Sequence, residues 1–331
     1  MKAYILRRFL TMVGMLAALS IIIFLILELP PGDFAERHVY QLKSIGVFVT
    51  EEDLINYRHQ FGLDRPWPER YFRWITNIVL RGNFGMSLIY RMPVTEVIGE
   101  RLGFTALIAI SALIFTYGLA IPIGIYSAID QYSLADYTFT LIGYVGIAVP
   151  NFLLALVLLY ISVTVFGSNV GGLFSPEYVD APWSWERFVD LLKHLWVPAV
   201  VLGTTGTAFQ MRTLRATLLD EKNKLYVTVA RAKGLSEGRL LLKYPVRVAL
   251  NPIISTLGWE LTHVISGAPI VAFVLALPDT GPLFLKALLD EDIYLGGSML
   301  LIYSALTIFG TFLSDVMLAL LDPRVRQVRS L

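Results

Sequence analysis

The chain has 331 residues, 56% of them hydrophobic and 16% charged, with a mean hydropathy of +0.64. Soluble globular chains are about a quarter charged, so this composition points to a membrane protein. A net charge of +1 gives no bulk field to attract nucleic acid, and the lack of cysteine excludes disulfides and thiolate metal sites.

Uncharged runs mark the membrane crossings. Residues 9–27 are 19 uncharged residues, which as a helix span about 28 Å, one hydrocarbon core. Lys2, Arg7 and Arg8 precede this run as they would in a signal peptide. The run exceeds the usual h-region of about 7–15 residues, and Leu27-Glu-Leu-Pro-Pro is no small-residue cleavage site. Residues 1–29 are therefore read as a tail and a retained first helix.

Residues 30–93 form a polar outer region. Pro30-Pro31-Gly32-Asp33 is a sharp exit from the membrane. Thr50-Glu-Glu-Asp can cap a helix through Leu54, Tyr57, Arg58 and Phe61 that ends at Gly62. Tyr71, Trp74, Ile75 and Ile78 recur at helical spacing within 70–80. The region reads as folded and packed on the helices.

The core, 94–321, carries five further spans. Residues 102–129, 195–211 and 293–314 are uncharged, and 251–278 holds only Glu260 and His263. The stretch 137–178 holds only Glu177 but is too long for one span; Gly167-Ser-Asn-Val-Gly-Gly172 marks where it leaves the lipid. Pro122 and Pro150 read as kinks that packing tolerates, and Trp183, Trp185 and Trp196 as headgroup-level anchors. The expected architecture is all-α, integral to the membrane, with six transmembrane helices.

Lysine and arginine set the orientation. With the N-terminus inside, segments 1–8, 130–136, 212–250 and 322–331 are cytoplasmic and hold 3, 0, 9 and 3 Lys+Arg. The short outer loops, 168–194 and 278–292, hold only Arg187, Lys193 and Lys286. Cytoplasmic termini, with 322–331 as a cytoplasmic tail, follow.

The basic segment 212–250 contains Tyr226-Val-Thr-Val-Ala-Arg-Ala-Lys-Gly234. Ala230 and Ala232 leave room for close approach, and Gly234 can take the left-handed conformation that closes a helix. Such a helix suits insertion into a groove on a cytoplasmic partner.

Two stripes of polar residues lie within apolar spans. Thr256, Glu260, His263 and Gly267 share one helical face, and Ser304, Thr307, Thr311 and Ser314 share another. They suit either interhelical hydrogen bonding or the lining of a solute path. Glu260-Leu-Thr-His263 lacks the second histidine of metalloprotease spacing. The chain has no Gly-x4-Gly-Lys-Ser/Thr phosphate loop, and Leu235-Ser-Glu-Gly-Arg239 reads as the turn after the basic-segment helix.

Several motifs together resemble one family. The basic loop reads Met211-Arg-Thr-Leu-Arg-Ala, then Tyr226-Val-Thr-Val-Ala-Arg-Ala-Lys-Gly-Leu-Ser-Glu, then Arg247-Val-Ala-Leu-Asn-Pro252. Leu29-Pro-Pro-Gly-Asp33, Phe61-Gly-Leu-Asp-Arg-Pro66, Tyr71-Phe-Arg-Trp74, Arg81-Gly-Asn-Phe-Gly85, Pro278-Asp-Thr-Gly-Pro282 and Leu320-Leu-Asp-Pro-Arg-Val-Arg326 extend the likeness over nearly the whole chain. It resembles the permease subunits of binding-protein-dependent ABC importers, in the peptide, nickel and oligosaccharide branch.

That resemblance implies a type I importer permease fold in the inner membrane. It implies a second homologous permease, two cytoplasmic ATPase subunits, an extracytoplasmic solute-binding protein and membrane lipid as partners, and no nucleic acid. ATP would bind the partner subunits, and this chain would hold no cofactor or metal and have no catalytic residue. Coupling to the ATPase would fall to Tyr226, Thr228, Ala230, Ala232, Gly234 and Leu235. The family's Glu-Ala-Ala motif, aligned on Gly234, meets Thr228, Val229 and Ala230, and only the third matches; the later proline is displaced to Pro245. The path would take Thr256, Glu260, His263, Gly267, Ser304, Thr307 and Thr311. The competing readings are a secondary transporter, with Glu260 as its one midplane acid, and a membrane enzyme using Glu260 and His263. The solute stays open between peptide, oligosaccharide and nickel.

Overall fold

The computed structural model describes residues 2–29, 32–165, 167 and 170–321. Their regular structure is helical: α1 (Lys2–Glu28), α2 (Phe34–Ser44), α3 (Glu51–Phe61), α4 (Trp67–Arg81), α5 (Val94–Ile129), α6 (Leu134–Ala148), α7 (Asn151–Thr164), α8 (Trp185–Lys222), α9 (Leu225–Ala232), α10 (Glu237–Lys243), α11 (Pro245–Ser255), α12 (Leu257–Val274), α13 (Thr280–Leu289) and α14 (Ile293–Leu321). The Pro30-Pro31 exit and the 322–331 tail lie outside the described residues, as do residues 168 and 169 of the expected lipid exit at 167–172.

Among the described residues five helices, α1, α5, α8, α12 and α14, are long and apolar enough to cross a membrane. A sixth crossing arises if α6 and α7 form one span, and these two are bent by 106°. Pro150 causes the break. It lacks an N–H, and its ring pushes Val149 out of the helical region, to φ −84 and ψ 121. Pro150 therefore ends a helix instead of kinking one, whereas Pro122 sits inside the continuous α5.

The chain divides into two compact units. One comprises residues 11–105 and 279–306. Here the described residues of the polar region, 32–93, carry α2, α3 and α4. Thr50 and Asp53 form a reciprocal capping box at the start of α3, and Gly62, at φ 68, closes it. Phe24 of α1, Phe34 and Ala35 of α2, Tyr71 and Trp74 of α4, and Ile293 of α14 form a common core. The buried Asp292 ties this core together. Its carboxylate accepts from Ser87 Oγ at 2.6 Å, from the Leu88 and Ile89 amides at 2.8 and 3.1 Å, and from Leu295 N at 3.0 Å.

The other unit comprises residues 1–10, 106–278 and those from Thr307 onward. Helix α8 is its axis, lying against α6, α7, α11 and α12. Leu214 and Leu218 of α8 pack fully buried against Val246, Ala249 and Ile253 of α11. The basic segment is thus not an open loop: α8 runs on to Lys222, and α9, α10 and α11 follow.

Candidate functional site

Helix α9 is short because its signals are local. Lys224 precedes it in an extended conformation, and Gly234 follows it at φ 78. Lys233 N donates to Val229 O at 3.1 Å and Gly234 N to Arg231 O at 3.0 Å, so the glycine closes the helix as the sequence predicts.

The helix has two faces. Val227 and Ala230 are buried against Leu240 of α10, with Leu235 and Tyr244 beside them. Tyr226, Thr228, Ala232 and Gly234 are exposed, and Leu235 is half-buried. Ala230 is therefore small to fit its own loop's core, and Ala232 is the small residue that faces outward. Tyr226 donates to Glu221 Oε2 at 2.6 Å, and burial followed by that carboxylate pushes its phenol above the usual range. Arg231 Nη2 donates to Glu237 at 3.0 Å, which holds the Glu237 carboxyl below its usual range. Tyr226, Val229 and Lys233 border a concavity of ≈ 760 Å³ together with Lys243, Tyr244 and Arg247.

The stripe on α12 splits in the folded chain. Glu260 is 1% exposed and faces α8, where Gln210 is 0% exposed. Gln210 Nε2 donates to Thr256 Oγ1 at 2.9 Å and approaches Glu260 Oε2 at 3.4 Å. Glu260 Oε1 and Gln210 Oε1 have no hydrogen-bond partner among the described residues. Gly206 of α8 lies against this carboxylate, and any Cβ there would collide with it. His263 instead lies beside Trp259, ring centroids 5.7 Å apart, and is half-buried. Gly267 lies in α12, and its surroundings fall outside the described residues.

The polar residues of α14 from Thr307 onward mostly join helices. Thr262 Oγ1 of α12 donates to Thr307 Oγ1 at 3.0 Å, and Ser314 Oγ donates to Ile254 O of α11. Thr311 packs its backbone on Gly258, where a Cβ would clash, and Gly310 also meets Gly258. Glycine lets the two helices cross at backbone distance. Ser304 is half-buried on the same helix. Sequence reasoning missed Gln210, Gly206, Thr262 and Gly258. A glutamine within an uncharged run was the one available signal. Among the described residues, no three His, Cys, Asp or Glu groups come together as a metal site would need.

Comparison with known proteins agrees with this helical layout. A family profile described as binding-protein-dependent transport system inner membrane component matches residues 120–327. A companion N-terminal profile of the same transport systems matches residues 1–109. The chain is 34% identical over 328 residues to a Brucella ovis protein named as a peptide permease, covering 98% of this chain and 99% of that one. It is 32% identical over 326 residues to the oligopeptide transport system permease protein AppB of Bacillus subtilis, with 98% and 99% coverage. It is 30% identical over 272 residues to the oligopeptide transport system permease protein OppB of Mycobacterium bovis, with 81% and 83% coverage.

Proposed function

The chain belongs to the family of binding-protein-dependent transport system inner membrane components, and on that premise we propose that it carries peptides through half of a translocation path. It is a multi-pass permease subunit of an ABC importer and not an enzyme. Such an importer works with ATPase and solute-binding partners. The relatives' names favour peptide over oligosaccharide or nickel as the solute.

In this reading a second, homologous permease completes the path, and two ATPase subunits bind all the ATP. The outward face of α9 docks in a cleft of one ATPase subunit. ATP hydrolysis then shifts α9, and the path alternates between outward-facing and inward-facing states. Both termini lie in the cytoplasm, by the lysine and arginine bias, and 30–93 faces outward where the solute-binding protein arrives. Thr256, Glu260, His263, Gly267, Ser304, Thr307 and Thr311 stand as path candidates. The burial of Glu260 and the pairing of Thr262 with Thr307 weigh toward helix packing for part of this set.

The observation that carries the reading is α9 itself: a short helix closed by Gly234 that lies outside every candidate span and keeps one face exposed. The test is purification in mild detergent followed by reconstitution. The chain should bring its ATPase subunits with it, and vesicles loaded with ATP on the ATPase side should accumulate labelled oligopeptide only when the binding protein is present. Uptake without ATPase subunits, driven by an ion gradient, would overturn it in favour of a secondary transporter. A reporter fused after Leu331 should be active only in the cytoplasm.

A further inference from the structure

Helix α4 carries more apolar surface than the protein core uses. Tyr71, Trp74 and Ile78, spaced i, i+3, i+7, pack into the core of the unit formed by residues 11–105 and 279–306. A second apolar stripe runs beside the first: Phe72, Ile75, Val79 and Leu80, spaced i, i+3, i+7, i+8. Ile75 is half-buried, but Phe72, Val79 and Leu80 are 64%, 72% and 75% exposed. A helix packed on a core in water needs only the first stripe. Large apolar side chains gathered on the open face of one short helix mark an interaction surface.

Contacts with two spans fix the depth of α4. Ser20 Oγ of α1 and the Tyr71 hydroxyl share a hydrogen bond at 2.9 Å. The Phe24 ring of α1 lies 5.6 Å from that of Tyr71 and 5.7 Å from that of Trp74, centroid to centroid. Gly297 of α14 lies against Leu27 and Trp74, and a Cβ there would meet them at 3.1 and 3.5 Å. Phe24 and Gly297 are three and four residues inside the ends of the uncharged runs 9–27 and 293–314, about 5–6 Å along a helix. Trp74 is thus wedged between two spans, below the edge of both apolar runs.

The charges of α4 suit that level. Its 15 residues include Glu69, Arg70, Arg73 and Arg81, so it does not itself cross the hydrocarbon. Arg70 pairs with Glu28 where α1 ends, and Arg73 and Arg81 are exposed. Arginines on one arc, with Phe, Val and Leu on another, are the pattern of a helix that lies in a bilayer interface.

We propose that α4 is an interfacial helix that docks on the phospholipid surface, with Phe72, Val79 and Leu80 among the acyl chains and Arg73 and Arg81 reaching the headgroups. Depth names the occupant. Beside two spans and below the ends of their apolar runs, a face that protein leaves open meets lipid. The same stretch of α1 exposes Ile21, Ile22, Leu25 and Ile26, so lipid reaches this level. Long arginine side chains can keep their charge in the headgroup layer while their stems cover apolar surface. The proposal needs α1 to cross the membrane and does not depend on the solute carried.

The experiment uses the whole transporter in phosphatidylcholine nanodiscs, with the cysteines of its partner subunits replaced. This chain has no cysteine, so Phe72→Cys, Val79→Cys and Glu52→Cys each take one nitroxide label; Glu52, exposed in the first turn of α3, is the control in water. Paramagnetic resonance then compares collisions with oxygen, which concentrates in acyl chains, and with a neutral nickel chelate, which stays in water. The oxygen-to-nickel ratio should be about 3-fold higher at 72 and 79 than at 52, as expected for a face buried about 5–10 Å into the boundary. Equal ratios at the three positions place the face in water and overturn the proposal. Low collision with both reagents at 72 and 79 means that another protein chain covers the face, and overturns it equally. If a cysteine variant loses its partner subunits, Phe72→p-benzoylphenylalanine keeps the aromatic bulk. Its photo-adduct should have the mass of a phospholipid, and an adduct to a protein chain sinks the idea. These readouts involve no transport, so they stand or fall apart from the peptide reading.

Discussion

Arg215 of α8 grips the buried carboxylate of Asp136 of α6 with two hydrogen bonds, 2.8 Å from Nε and 2.7 Å from Nη2. Asp136 is 1% exposed and accepts a third bond from Tyr132 N at 3.0 Å, at a residue held at φ 69. One carboxylate thus fixes both the α5–α6 turn and the α6–α8 packing. The planar guanidinium fork is what makes the bidentate grip possible.

Removing the acid leaves a partly buried cation without its partner. Asp136→Ala should lower stability by about 3 kcal/mol, the range for breaking a buried pair. Arg215→Lys should lose part of that, because an ammonium cannot bond both oxygens in the same plane. Thermal unfolding of the detergent-solubilised complex checks both. A double variant Asp136→Ala/Arg215→Ala no less stable than Asp136→Ala alone would confirm the coupling, and strict additivity would refute it.

The legibility of this chain tracks sequence distance. The α3 cap, Thr50 with Asp53, and its Gly62 terminator lie within 13 residues and could be read directly. So could the closure of α9 by Gly234. Asp136 and Arg215 are 79 residues apart, and nothing local marks either as a partner of the other. The direction in which Ala230 points was equally hidden, because it depends on Leu240 of another helix. Helical periodicity placed Thr256, Glu260 and His263 on one stripe. It could not say that Gln210 and Gly206 would take Glu260 inward while His263 went to Trp259. Helices α2 and α13 also escaped notice, since each lies in a segment read only as polar or short.

Gly206 and Glu260 give a packing prediction. Gly206→Ala should destabilise by about 2 kcal/mol, as overpacking does, because its methyl group meets the Glu260 carboxylate. In a Glu260→Ala background the same change should be nearly silent. If Gly206→Ala is equally harmful in both backgrounds, Glu260 does not occupy that space in solution. Retained peptide uptake in Glu260→Gln would further assign the side chain to packing.

Asp279 gives a pH prediction. It is 1% exposed, and burial pushes its carboxyl from 3.8 up to about 6, against the opposing pull of the Gly281 amide and Arg101. The folded chain therefore holds a proton that the unfolded chain has already released. Stability should fall as pH rises from 3.8 through about 6, by about 3 kcal/mol at about 1.4 kcal/mol per pH unit. Asp279→Asn keeps an N-cap on α13 and should flatten that part of the profile. Melting temperatures of the two proteins across this pH window provide the measurement, and parallel profiles would remove Asp279 as the cause.

The two alanines of α9 separate docking from folding. Ala232 is exposed, whereas Ala230 is 7% exposed and packs against Leu240. Ala232→Trp should leave the loop folded and block the ATPase subunits sterically. Ala230→Trp should disrupt the loop's own core, because a tryptophan cannot replace a buried methyl group without displacing α10. Limited proteolysis of 212–250 reads loop integrity, and co-purification reads docking. The expected result for Ala232→Trp is wild-type protease resistance with the ATPase subunits lost, and for Ala230→Trp the loss of both. Wild-type amounts of ATPase, with normal uptake, in Ala232→Trp would remove the exposed face of α9 from the docking surface.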